Sequence, residues 1–159
     1  VMACMLLLLL KAALIMSVWD LSEGAWKQEA WLLVLAPVWS RWFMVHAMYR
    51  WPMARGSEGL AALFHGLTAG RRRMAGSMAA LLTVVIIGLQ WVMADTADYW
   101  LLGIGGLFFI PFISWAIGTV TAERMSQRLG GLTGDTYGAL NELIEAVVLI
   151  FVVLLLKLT

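Results

Sequence analysis

The apolar positions of this chain fall in long blocks. Residues 1–19, 29–49, 75–93, 99–120 and 137–157 are each mainly hydrophobic, and a bilayer core of roughly 30 Å takes about 20 such residues per helical crossing. Five transmembrane helices are therefore expected, joined by short loops, with no room for a separate soluble domain. The expected fold class is all-α: a polytopic integral membrane helical bundle, with residues 1–159 forming a single membrane-embedded domain. No repeat with a period of roughly 20 to 50 residues is visible, and no low-complexity linker divides the chain.

Composition sharpens this picture. Of 159 residues 62% are hydrophobic and 13% charged, against about 25% charged in soluble domains, which excludes a water-soluble globule. Eleven basic and ten acidic side chains leave a net charge of +1, too little to attract nucleic acid. The partner implied is the lipid bilayer, and no nucleic acid. The lone Cys4 allows no internal disulfide and suits a small core position. A chain that starts at Val1, inside an apolar run and without an initiating Met, is expected to be an N-terminally truncated portion of a longer product. Its start lacks the basic n-region and cleavage site of a secretory signal.

The basic residues set an expected orientation. Segment 50–74 carries Arg50, Arg55, Arg71, Arg72 and Arg73 against Glu58, and segment 121–136 carries Arg124 and Arg128. Such loops stay in the cytoplasm. The opposite loops hold Asp20, Glu23, Lys27, Asp95 and Asp98. Trp19, Trp26, Trp31, Trp51, Trp91, Tyr99 and Trp100 sit near span ends, where amphipathic rings match the headgroup belt.

The polar residues that such a bundle must explain cluster at the entry to the last span. Gly130-Gly131-Leu132-Thr133-Gly134-Asp135-Thr136-Tyr137-Gly138-Ala139-Leu140-Asn141-Glu142-Leu143-Ile144-Glu145 leads from a glycine-rich loop into an apolar helix. With a helix starting near Asp135, the carboxylates Asp135, Glu142 and Glu145 share one face. Gly138 lies on that stripe and leaves it open to a ligand. Asp135 by itself reads as a helix cap. Glu142 and Glu145 do not, because they lie about 10 to 15 Å along the helix, where a bare carboxylate costs several kcal/mol without a partner. Oxygen ligands with no His or Cys beside them suit Mg²⁺ on a phosphate or pyrophosphate.

Arg41 is the matching anomaly. It is expected about 12 Å inside the end of its span, either snorkelling, paired with a buried Glu, or clamping a phosphate. Arg55 follows Pro52-Met53-Ala54 and precedes Gly56-Ser57, an exposed bend from which its planar fork could reach a phosphate. Other features have simpler readings. Arg71-Arg72-Arg73 is a topology and headgroup signal; Asp95 and Asp98 cap a helix; His46 and His65 are structural. Gly103, Gly105 and Gly106 mark close helix packing. Lys11, in mid-span, is expected to face a partner in the truncated N-terminal part.

These residues resemble the cobalamin synthases, also called adenosylcobinamide-GDP ribazoletransferases. The likeness rests on 130–139, Asn141-Glu142-Leu143 and Glu145, with a weaker match at Arg41, Ala54-Arg55, Glu58-Gly59-Leu60 and Phe64. It implies a multi-pass enzyme of a prokaryotic cytoplasmic (inner) membrane. That enzyme joins adenosylcobinamide-GDP to α-ribazole or its 5′-phosphate, releases GMP and requires Mg²⁺. By spacing and depth, Asp135, Glu142 and Glu145 are the expected catalytic residues, with Asp135 and Glu142 helping to hold Mg²⁺ on the pyrophosphate and Glu145 as a supporting group or base, while Arg41 and Arg55 compensate substrate phosphate charge. The family's Asp- and Gly-rich N-terminal motif has no counterpart here, so this portion alone is expected to be inactive; a homo-oligomer is compatible with the reading. The rival is a small-solute or ion-coupled membrane carrier in which the same buried charges form a relay. A phosphotransferase of the CDP-alcohol type is disfavoured because its paired-Asp motif is not in this chain.

Overall fold

The computed structural model describes residues 2–21, 28–54, 67–93 and 103–158. Among these the fold is all-helical: α1 (Met2–Leu21), a 3₁₀ segment (Gln28–Val34) continuing into α2 (Leu35–Arg50), α3 (Ala69–Met93), a π-helical turn (Gly105–Phe109) continuing into α4 (Ile110–Leu129), and α5 (Gly134–Leu158). The stretches Ala69–Val92, Gly105–Leu129 and Gly134–Lys157 are long and apolar enough to cross a membrane. The chain is thus a polytopic helical bundle, with a helical segment in each of the five predicted spans.

Helix ends differ from expectation at the basic residues. Thr68 accepts from the Arg71 amide through its hydroxyl, 3.3 Å, and from the Arg72 amide through its carbonyl, 3.1 Å. This starts α3 ahead of the arginine triplet, so Arg71, Arg72 and Arg73 ride on a helix rather than in the loop expected over 50–74. Likewise α4 runs to Leu129 and carries Arg124 and Arg128. The expected 121–136 loop shrinks to four residues.

Helix α5 is central, packing against α1, α2 and α4. Its residues Leu140, Ile144, Val148 and Val152 are fully buried, and their spacing of four makes one continuous stripe. Helix α2 presents Leu35, Trp39, Phe43 and Ala47 at the same spacing. Helix α4 presents Ile110, Ser114, Gly118 and Ala122. Those small residues admit large ones: a Cβ on Gly118 would lie 2.6 Å from the Phe43 ring. The expected packing role of the 103–106 glycines also holds, since a Cβ on Gly105 would lie 2.7 Å from Leu155 and one on Gly103 2.8 Å from Trp91. Outside, Leu6, Leu9, Leu81, Phe108 and Phe112 are exposed, the surface expected of a bundle whose solvent is hydrocarbon.

Candidate functional site

The site is built from two loops that meet at one end of the bundle. Helix α4 ends with Gly130 in the left-handed conformation, φ 70°, and the Gly131 amide donates to the Ser126 carbonyl at 3.0 Å. That is the six-to-one bond of a Schellman stop. The chain then runs beside the segment leaving α2. The Leu132 amide donates to the Pro52 carbonyl, 2.8 Å, and the Ala54 amide to the Leu132 carbonyl, 3.0 Å. Gly131 is required here twice over. Its φ is 144°, and a Cβ would lie 2.6 Å from the Ala54 nitrogen. The glycine-rich loop and the central loop, distant in sequence, are therefore tied backbone to backbone.

From this junction α5 begins with a reciprocal cap. The Thr136 amide donates to Thr133 Oγ1, 3.3 Å, and the Thr133 amide to Thr136 Oγ1, 2.7 Å. Two orphan donors are satisfied by threonines. The capping role expected of Asp135 thus falls to Thr133, and Asp135 stands exposed in the first turn with no hydrogen-bond or ion-pair partner among the described residues.

Deeper along α5 four charged side chains from three helices form one network. Lys11 Nζ of α1 donates to Glu142 Oε2 at 2.5 Å and to Glu145 Oε2 at 2.6 Å. The other oxygen of Glu145 accepts from Arg41 Nη1 at 2.7 Å, and from Ser40 Oγ and Asn141 Nδ2, each at 3.1 Å. Two cations balance two anions. This is how carboxylates about 12 and 16 Å from the start of α5, at 1.5 Å per residue, are tolerated inside an apolar bundle.

The four members are not equivalent. The Lys11 and Glu145 side chains are 11% and 16% exposed, Glu142 34% and Arg41 61%. Glu145 has both oxygens engaged. Glu142 keeps Oε1 unbonded among the described residues, and the Arg41 guanidinium is tethered at one nitrogen while its remainder faces outward. On the same helix, Tyr137 Oη and Asn141 Oδ1, one turn apart, are buried with no hydrogen-bond partner. Unsatisfied buried acceptors and hydroxyls are rare, and Asn141 belongs to the charged network through its bond to Glu145. A Cβ on Gly138 would meet nothing within 4 Å, so this stripe of α5 is open as expected.

Of the predicted site residues, the structure brings Arg41, Glu142 and Glu145 into one network and sets Asp135 about two turns from Glu142. Arg55 lies outside the described residues, as do Glu58 to Phe64. The expectation that Lys11 faces an absent partner is corrected, because it bridges the two glutamates. Its signal was present in the sequence: a lysine in mid-span needs an anion. Among the described residues no group of three or more His, Cys, Asp or Glu side chains is placed to hold a metal ion. Among the described residues on this stripe of α5, Asp135, Asn141 Oδ1 and Glu142 Oε1 are oxygen donors still open to one.

Residues 1–153 match the cobalamin-5-phosphate synthase family. The chain is 38% identical over 158 residues to an adenosylcobinamide-GDP ribazoletransferase of Desulforamulus reducens, covering 98% of this chain and 53% of that protein. It is 36% identical over 123 residues to the enzyme of that name from Roseiflexus sp., covering 76% of this chain and 40% of the relative. With the Syntrophobacter fumaroxidans protein of that name it is 40% identical over 119 residues, covering 74% of this chain and 41% of the relative. The chain spans about half the length, or less, of these relatives. No solved structure matches it. A match over nearly all of its residues, carried through the looped junction and the charged network of α5, makes the chain a member of the cobalamin-5-phosphate synthase family.

Proposed function

We propose that this chain forms part of an adenosylcobinamide-GDP ribazoletransferase and that the junction of its two loops with α5 is part of the substrate site. The observation that carries this reading is the network of Arg41, Glu142 and Glu145 joined by Asn141, whose Oδ1 is buried and unpartnered, with the exposed Asp135 about two turns back on the same helix. In the reaction a hydroxyl of α-ribazole, or of its 5′-phosphate, forms a bond to the phosphorus nearest the cobinamide. The pyrophosphate bridge breaks, GMP leaves with the bridging oxygen, and the hydroxyl proton passes to a base. The product is adenosylcobalamin or its 5′-phosphate. Transfers of this kind need charge neutralisation and in-line positioning more than covalent help.

Each residue has a task in that scheme. Arg41, aimed by Glu145, offers its remaining donors to a phosphate oxygen. Asp135 and the open oxygen of Glu142 are the donors that would hold Mg²⁺, which when bound neutralises pyrophosphate charge. Glu145 is a positioning residue, because its oxygens are saturated by Lys11, Ser40, Arg41 and Asn141. Arg55, which follows Ala54 in the sequence, is proposed as a second phosphate-binding residue. The basic ends of α2, α3 and α4 face the cytoplasm of a prokaryote, in its inner membrane.

The test is GMP release from adenosylcobinamide-GDP by the protein carrying this chain, with and without Mg²⁺. Asp135→Asn and Glu142→Gln are expected to lower turnover about a hundredfold or more each, the scale of losing a group that stabilises transition-state charge, with normal membrane expression. Near-normal turnover in both variants refutes the site. Proton-coupled solute uptake in liposomes without GMP release supports the carrier instead.

A further inference from the structure

Arg72 and Arg73 of α3 line a cavity whose wall includes none of the four charged residues of the network. It has a volume of about 280 Å³ and is walled by Trp42, His46, Arg72, Arg73, Gly76 and Trp115, from α2, α3 and α4. Arg72 lies over the Tyr49 ring at 4.7 Å, and neither Arg72 nor Arg73 has a carboxylate partner among the described residues. The indole of Trp42 stacks on His46, 5.6 Å between centroids, and its N–H has no acceptor among the described residues. A Cβ on Gly76 would come within 2.9 Å of that nitrogen, so the glycine keeps the donor open. The described acids that pair at all are engaged elsewhere: Glu142 and Glu145 with Lys11 and Arg41, Glu123 with Trp51 and Gln127. Two arginines and an indole N–H thus line a cavity whose wall carries no acidic residue among the described residues.

Polarity changes along the bundle axis at this place. The arginines stand at the end where α3 starts. Below them are Trp115 and then, one and two turns farther from that end, Phe112 and Phe108, all exposed on the outer surface. A charged mouth continued by an apolar track matches an amphiphile that carries a phosphate, and the track lies on the face that meets hydrocarbon.

We infer that this cavity binds the headgroup of an anionic phospholipid, with the phosphate on Arg72, Arg73 and Trp42 and an acyl chain along Trp115, Phe112 and Phe108. The site does not depend on the proposed reaction. The experiment purifies the full chain from detergent containing phosphatidylglycerol or phosphatidylcholine and counts retained lipid by native mass spectrometry. Phosphatidylglycerol is expected to stay bound in preference to phosphatidylcholine. The double variant Arg72→Gln with Arg73→Gln should weaken its retention about tenfold or more, the scale of two interfacial charges, whereas Arg72→Lys with Arg73→Lys should keep most of it. Arg73→Glu alone, at an exposed position, gives an independent loss should the double variant fold poorly. Equal retention of both lipids, or no loss in any charge variant, overturns the assignment. So does displacement of the lipid by millimolar inorganic phosphate or GMP, which would make the cavity a soluble-phosphate site.

Discussion

Replacing Lys11 by Met removes the cation that, among the described residues, touches both glutamates, and keeps the volume of the side chain. Glu142 then has no partner among the described residues, while Glu145 retains Arg41, Ser40 and Asn141. Breaking a buried pair by deleting one member costs about 3–5 kcal/mol in proteins. Glu142, a third exposed, can recover part of this by hydration or protonation, so a loss of about 2–3 kcal/mol is expected. For a domain of this length that is a fall of about 5–10 °C in melting temperature. Thermal unfolding of the full chain in a fixed detergent reads it directly, and Lys11→Arg should restore most of the loss. A double-mutant cycle with Glu142→Gln isolates the pair, with an expected coupling above about 1 kcal/mol. A Lys11→Met protein that melts within a degree of the parent, with no coupling to Glu142→Gln, refutes the network as a source of stability.

Two further substitutions test the scaffold of the site. Gly131→Ala puts a Cβ 2.6 Å from the Ala54 nitrogen at φ 144°; it should destabilise the chain by about 2–4 kcal/mol and raise amide exchange at Ala54 and Leu132, measured by hydrogen-exchange mass spectrometry. Gly118→Val intrudes on Phe43 and is expected to cost about 1–3 kcal/mol as overpacking, a loss that Phe43→Leu in the same chain should partly relieve in a melting experiment.

The places where sequence and structure agree share a physical cause, and so do the places where they part. Hydrophobic blocks locate helices because hydrocarbon solvent tolerates little else, and the stripe containing Glu142 and Glu145 follows from 3.6 residues per turn. Helix ends were less legible. Arg124 and Arg128 look like loop residues by charge, yet nothing stops α4 before Gly130, whose left-handed φ does. Asp135 looks like a cap by type, yet Thr133 stands one residue ahead of the helix and Thr136 returns its bond. The need of Lys11 for an anion was legible, but the saturation of Glu145 was not, for another reason. Whether an intramembrane acid is free or saturated depends on residues brought from 104 and 134 positions away, which no local pattern contains.

The long separation between Lys11 and its acids bears on how the chain is made. A ribosome adds about 5–20 residues per second, so the separation of 131 residues between Lys11 and Glu142 puts roughly 7–26 s between the emergence of the lysine and that of its counter-ion. During that interval α1 carries a charge disfavoured by about 2.5–3.5 kcal/mol at the bilayer centre. Its final seat is therefore taken only after α5 arrives, so α1 settles with a helix made well after it rather than with its neighbours in the chain.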